Sequence, residues 1–385
     1  MKLIIIALAA TLLLSGERKS ATTLPVPYAT PSAKNGPKVI PRPDGATLHV
    51  PSGFTVTEFA SGLERPRFMV QGTAGEILVS DTVPNGAVYL LEGSKKTAVI
   101  SGLDKPYGLA FWHEYLYVGE PTSIKRYKYD SATHIAGAGE EVVSLAGYDK
   151  GHVTRTITFS KSGDKMYVAV GSSGDLVEGD PENRAAINEY NPDGTGHRVY
   201  ATGFRNPVGL RVQPDTGDLW TTVEERNDLG DGLVADYFTS VKPGGFYGWP
   251  YAYLGPNEDP RLAGKHPDLV KTALAPDVVL EPHCAILDFV FYTGKAFPAK
   301  YRGGAFLANH GSSNRAERVG YSLSFLPFHN GKPVGKPRDF LTGWMLAADQ
   351  KDVWGRPVGL LELRDGSLLV SDDGGKKIWR IAYGK

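Results

Sequence analysis

Short apolar runs bounded by turns recur along this chain and set the first picture of it. Glu76-Ile77-Leu78-Val79-Ser80, Tyr115-Leu116-Tyr117-Val118-Gly119, Asp218-Leu219-Trp220-Thr221-Thr222 and Ser367-Leu368-Leu369-Val370-Ser371 each read as a strand. Each follows, within about ten residues, a phrase built on proline: Arg65-Pro66-Arg67-Phe68-Met69, Lys105-Pro106-Tyr107-Gly108-Leu109, Asn206-Pro207-Val208-Gly209-Leu210 and Arg356-Pro357-Val358-Gly359-Leu360. Two more units have the same shape without the proline, 154–159 leading to 165–170 and 284–289 leading to 304–308. A third strand, such as 87–91 or 377–381, completes the unit, and six units of this kind over about 340 residues predict an all-β, six-bladed β-propeller. The early strand at 54–59 is expected to complete the last blade and close the ring, which protects the sheet edges. A two-sheet sandwich is the alternative, but sandwiches seldom repeat one phrase so regularly.

Spacing between the units is uneven, 40 residues from Pro66 to Pro106 but 78 from Pro207 to Ala285. Insertions of this kind tend to fall on one face and build the site. Gly 46 and Pro 27 in 385 residues suit many tight turns, and their lack of a three-residue period excludes collagen. Lys+Arg 42 against Asp+Glu 42 removes the field that sequence-independent nucleic-acid binding needs. A single Cys excludes a disulfide within the chain, CxxC chemistry and covalent c-type haem.

The chain begins with Met1-Lys2, an apolar run over 3–14 and the small pair Ser15-Gly16, which reads as a signal peptide over 1–16 and an exported, periplasmic or secreted protein. That run is too short to span a bilayer, so no transmembrane span is expected in the mature chain. Its end resembles a bacterial lipoprotein box, but Glu17 stands at the cysteine position and cannot be lipidated. Residues 17–44, rich in Pro, Ala, Ser and Thr, read as a flexible linker, and 45–385 as the propeller.

Several groups could carry chemistry. His152, in Gly151-His152-Val153-Thr154-Arg155, precedes a first strand, where a propeller brings polar groups to its axis; it is either a structural histidine or a base kept neutral by the nearby Arg155 cation. Arg205 beside Asn206 can grip a carboxylate, or form a blade-to-blade salt bridge. The stretch 224–231 is dense in oxygen ligands suited to calcium, or is a solvated acidic turn, and it lacks EF-hand spacing. His310-Gly311-Ser312-Ser313-Asn314-Arg315 gathers donors after a strand, and Tyr247-Gly248-Trp249-Pro250-Tyr251 offers aromatic planes for packing or stacking. No zinc cluster, nucleophile elbow, P-loop or dinucleotide fingerprint is present.

Taken in order, these phrases, with 245–250, 291–294 and 301–304, resemble the soluble glucose/sorbosone dehydrogenase family, six-bladed propellers that carry pyrroloquinoline quinone (PQQ). The likeness runs from about residue 50 to the C-terminus and is greatest to the sorbosone branch; Ser313 stands where that branch commonly has Trp. The resemblance implies that His152 is the catalytic base, taking a hydroxyl proton as hydride passes to the quinone. It implies cofactor contacts at Arg205, Asn206, Glu225, His310, Asn314, Arg315 and Arg356. It also implies a calcium ion that polarises the quinone, held by the carbonyls of Arg226 and Asn227 within the oxygen-rich loop that includes Asp228 and Asp231.

The expected function is therefore PQQ-dependent oxidation of a sugar or related alcohol or aldehyde. With no haem site, electrons must leave to a separate acceptor. The alternatives are a non-catalytic binding propeller, against which His152 and Arg205 together speak, and a calcium-dependent lactonase-type hydrolase, which would want acidic and Asn ligands from several blades.

Overall fold

Six four-stranded antiparallel sheets make up the body of the protein in a computed structural model, which describes residues 24–93 and 95–384. Blades 1 to 5 begin on the strands Pro66–Gln71, Leu109–Trp112, Arg155–Phe159, Asn206–Val212 and Ile286–Phe291. Blade 6 combines Pro357–Glu362, Leu368–Asp372 and Lys377–Tyr383 with the early strand Phe54–Ser61, paired antiparallel to Lys377–Tyr383. The ring is thus closed by the N-terminal strand, and the six-bladed propeller is the fold. The first strands stand side by side around the axis.

The repeated phrase has a physical reason. A Cβ on Gly108 would stand 2.3 Å from the Arg155 carbonyl oxygen, and one on Gly359 would stand 2.1 Å from that of Arg67. Glycine at this step lets neighbouring first strands pack backbone to backbone. The polar residue ending the second strand anchors the start of the first. Asp81 Oδ1 accepts the N–H groups of Glu64 (3.2 Å) and Arg65 (2.5 Å), and Asp372 Oδ1 accepts that of Arg356 (2.6 Å).

Apolar faces meet between blades: Leu78 and Val88 of blade 1 pack with Leu116 and Val118 of blade 2, and Phe306 and Leu323 of blade 5 with Val370 and Ile381 of blade 6. Each such side chain contributes about 1.5–3 kcal/mol by burial. Because every first strand runs the same way, all six starts and all six loops between second and third strands open on one face. The long loops of blades 3, 4 and 5 dominate that face. The insertion after Ala235–Ser240 climbs the outer edge of blade 3 to reach it, through Tyr247 N–H to Thr202 O and Trp249 N–H to Gly203 O (both 2.9 Å). The one α-helix among the described residues, Pro267–Lys271, lies in this insertion. No helix among them is long and apolar enough to cross a membrane.

The linker expectation needs correcting for 24–44. These residues run along the propeller, with Lys38–Val39 paired in parallel to Asp352–Val353 and polar side chains bonded to loops of blades 4 and 5. Polar anchoring has replaced the apolar pattern that would have announced it. Residues 1–16, expected as a signal peptide, and Glu17 lie outside the described residues.

Candidate functional site

At the loop face, Glu224 ends the strand Leu219–Glu224 of blade 4 and faces a small polar pit of about 60 Å³. The pit is bordered further by Asn227, His283, His310, Asn314 and Arg356. It stops at Glu224, and His152, Arg205 and Asn206 stand on its blade 3 side. A larger groove of about 1790 Å³ lies beneath the N-terminal segment on the flank of blades 4 and 5; its lining includes neither His152 nor Arg205.

His152 is held by Ser172. Its N–H donates to the Ser172 carbonyl, and its Nδ1 stands 3.0 Å from both that carbonyl and the Ser172 hydroxyl. The hydroxyl already donates to Gly174 O (2.6 Å), so Nδ1 faces two acceptors and must carry the hydrogen. Nε2 is therefore the lone-pair nitrogen, and it makes no hydrogen bond among the described residues. Burial, and then the Arg205 guanidinium, push the imidazole down to about 4. The cation responsible is not the sequence neighbour Arg155. That side chain is fully buried and bonds the carbonyls of Tyr148, His152 and Thr154 (2.7–2.9 Å) as a structural clamp.

Arg205 pairs with Asp175 (3.0 Å) and donates to the Glu224 carbonyl (3.1 Å), while its Nε has no partner. Asn206 Nδ2 donates to Glu224 Oε2 (2.9 Å), and its Oδ1 is buried and unpartnered. Burial works to raise the Glu224 carboxyl, but Arg205, His152 and Asn206 together hold it below its ordinary value. Beneath it, burial and the Glu224 charge push Asp236 up to about 7.

The blade 5 and 6 side carries a second imidazole. His310 Nε2 donates to Asp373 Oδ1 (2.9 Å), and Asp373 Oδ2 pairs with Arg67 (2.5 Å) and Arg65 (3.5 Å). Burial and Arg356 push His310 down to about 4 despite the carboxylate. Burial opposes ionisation of Asp373, yet Arg67 and His310 hold it well below the carboxylate range. Arg356 donates to the carbonyls of His310 (3.3 Å) and Gly311 (3.0 Å).

Of the expected site residues, the loop face gathers His152, Arg205, Asn206, Glu225, His310, Asn314 and Arg356. Glu225 borders the pit beside Glu224; its Oε2 pairs with Arg226 (3.0 Å) and its Oε1 is buried without a partner. Others are turned to different uses. Arg315 pairs with Glu281 (2.6 Å). The four groups expected around calcium are engaged elsewhere or exposed. Asn227 O accepts from Arg261 (2.9 Å), which sets a cation where another would have to bind. Arg226 O faces the Val234 N–H (3.5 Å), Asp231 accepts the Ala316 N–H (3.1 Å), and Asp228 is exposed. Among the described residues, no three His, Cys, Asp or Glu side chains come together to hold a metal. The sequence reading missed Ser172, Asp175, Arg67 and Asp373, and took Glu224 only as part of the oxygen-rich stretch 224–231. Arg67 alone left a signal, as a charged residue where three of the four repeated phrases place Tyr107, Val208 or Val358.

The fold and this loop face define a six-bladed propeller with a polar, arginine-rich mouth. The profile of the TrAA12-like family matches residues 48–236 and 268–384, and the chain belongs to that family. An uncharacterized protein of Borreliella burgdorferi is 28% identical over 356 residues, covering 88% of this chain and 92% of that one. Among solved structures, the calcium structure of the Trichoderma reesei Carbohydrate-Active Enzymes Family AA12 protein superposes with TM-score 0.75 at 22% identity, over 91% of this chain and 99% of that one. The holo form of the pyranose dehydrogenase PQQ domain from Coprinopsis cinerea also gives 0.75 at 22% identity, over 89% and 98%. These likenesses establish the shared propeller.

Proposed function

We propose that this chain is an exported oxidoreductase that takes PQQ as cofactor and oxidises a sugar or a related alcohol or aldehyde. The observation that carries the reading is the grouping at one mouth of His152, neutral and with an open Nε2, with Arg205 and Asn206 beside it. The resemblance in sequence and the dehydrogenase named among the propeller neighbours support it.

The residues fit an anionic quinone. Arg67 Nε, Arg205 Nε and Asn206 Oδ1 are buried polar atoms without partners, a cost that a polar ligand would relieve. Guanidinium groups at Arg205 and Arg356 suit its carboxylates and carbonyl oxygens. When bound, the quinone supplies the hydride acceptor.

The chain's own part is positioning and proton transfer. His152 Nε2 takes the substrate hydroxyl proton while Nδ1–H stays donated to Ser172, so the ring keeps its orientation through the step. Glu224, ionised nearby, stabilises the imidazolium that results. Asn314, His310 and Arg356 line the opposite wall, where the Arg356 guanidinium and the Asn314 amide would hold the ligand's anionic edge. The calcium role implied by the resemblance finds no ligand set in the 226–231 loop, and no step is assigned to it. Electrons leave to a separate acceptor, and export rests on the 1–16 segment.

An absorbance titration of the purified protein with PQQ, followed by anaerobic addition of aldoses, polyols and aldehydes, tests this reading. Saturable binding and reduction of the bound quinone are expected. A protein that binds none, or holds quinone that no such substrate reduces, contradicts it and favours a binding propeller.

A further inference from the structure

The segment 28–36 bridges two loops that frame the pit. On the blade 4 side, Tyr28 N–H donates to Leu229 O (2.9 Å), Ser32 Oγ accepts from Gly230 N–H (3.1 Å), and Thr30 Oγ1 accepts from Asp231 N–H (2.8 Å). Gly230 has φ +97°, and a Cβ there would stand 2.6 Å from Thr30 O, so glycine is what lets the segment lie this close.

On the blade 5 side, Asn35 bonds through its backbone N–H and both side-chain polar atoms. Its N–H donates to Ser313 O (2.8 Å), and its Nδ2 to Ala316 O (2.8 Å) and Arg315 O (3.2 Å). Its Oδ1 accepts from the buried Arg318 (3.0 Å), which also donates to Gly36 O (3.1 Å). The two loops touch each other directly as well, where Asp231 accepts the Ala316 N–H.

Each loop then reaches the pit in one further step. Gly230 O accepts from His283 Nε2 (3.1 Å), and His283 borders the pit; Ser313, bonded to Asn35, borders it too. We propose that the N-terminal segment, through Asn35, is a positioning element of the binding site: it fixes the rim loops 229–231 and 313–318 in the arrangement that takes the anionic ligand. The affinity part of this claim rests on the quinone reading of the pit. Without the segment, ligand binding would have to order both loops, and that entropic cost lowers affinity.

The experiment compares the full chain with Asn35→Ala and with a control in the same segment, Lys38→Ala, whose exposed contact to Asp352 spans 3.7 Å. Asn35→Ala is expected to raise the PQQ dissociation constant about three- to thirty-fold, because it deletes three side-chain hydrogen bonds at the rim. Hydrogen exchange should quicken at 229–231 and 313–318 and not in the blade strands. Lys38→Ala should match wild type in both measurements. If Asn35→Ala fails to fold, Thr30→Val removes one bond and should give the same changes on a smaller scale. Wild-type affinity in Asn35→Ala, or an equal loss in Lys38→Ala, overturns the proposal. If the wild type takes no PQQ, the functional reading fails by itself. Exchange then decides the positioning claim: faster exchange confined to both loops upholds it, and unchanged protection overturns it.

Discussion

Two of the imidazoles at this mouth, His152 and His310, are held in opposite ways. His152 donates from Nδ1 to neutral oxygens of Ser172 and leaves Nε2 open; His310 donates from Nε2 to the carboxylate of Asp373. A carboxylate partner usually makes a histidine the better base. Here burial opposes the imidazolium, that charge is already shared with Arg67 and Arg65, and Arg356 adds a further cation, so His310 is pushed down to about 4 like His152. Basicity does not separate the two; surroundings do. His152 sits with Arg205 and the unpartnered Asn206 Oδ1, whereas His310 ties blade 5 to blade 6 through Asp373.

The largest expected break in this comparison is His152→Ala. It should keep the fold and still bind PQQ, yet slow reduction of the bound quinone by sugar by about 10²–10⁴-fold. Stopped-flow absorbance on quinone-loaded protein measures this, with His310→Ala in parallel. A smaller loss from His152→Ala than from His310→Ala would transfer the base to the other wall.

Arg205→Ala comes next. It removes the unpartnered Nε and the charged contact beside His152, and should weaken PQQ binding by a factor of about ten to a hundred without unfolding the propeller. An unchanged titration curve would leave Arg205 as the blade-to-blade salt bridge with Asp175. The same variant removes the cation that helps depress His152, so that imidazole should titrate at higher pH.

A third effect concerns stability. His310→Ala should lower it by about 1.5–3 kcal/mol, the range for a lost hydrogen bond to a charged group, as read by denaturant midpoint. Acid adds a smaller, shared effect. Both histidines have folded values below the unfolded one and Asp236, raised to about 7, works the other way; with two groups against one the unfolded state binds more protons between roughly pH 6.5 and 4, and stability should fall as pH drops through that window. The pH dependence of the unfolding midpoint should be weaker in His310→Ala than in wild type, and an equal dependence in the two would show that this ring is not buried neutral.

The fold was legible because one packing problem recurs around the ring. Each blade must bring a first strand against its neighbour at the axis, and Pro-x-Gly-Leu answers it at Gly108, Gly209 and Gly359. The site was legible only in part. Glu224 and Glu225 both border the pit, and sequence could not show that Asn206 holds one carboxylate while Arg226 holds the other. Arg155 was expected to act on His152 because it is near in sequence, but the cation that does so, Arg205, arrives from the next blade. The N-terminal segment read as a linker because Thr30, Ser32 and Asn35 anchor it, and a search for apolar periodicity does not register them.

The central claim is that His152, neutral and open at Nε2, is the base. The pH dependence of single-turnover quinone reduction, measured for wild type and His152→Ala, tests it most directly. The wild-type rate should hold down to mildly acid pH and fall around pH 4, where His152 takes up a proton, and the residual rate of the variant should show no such limb. A wild-type rate with no acid limb, or the same limb surviving in His152→Ala, would contradict the account.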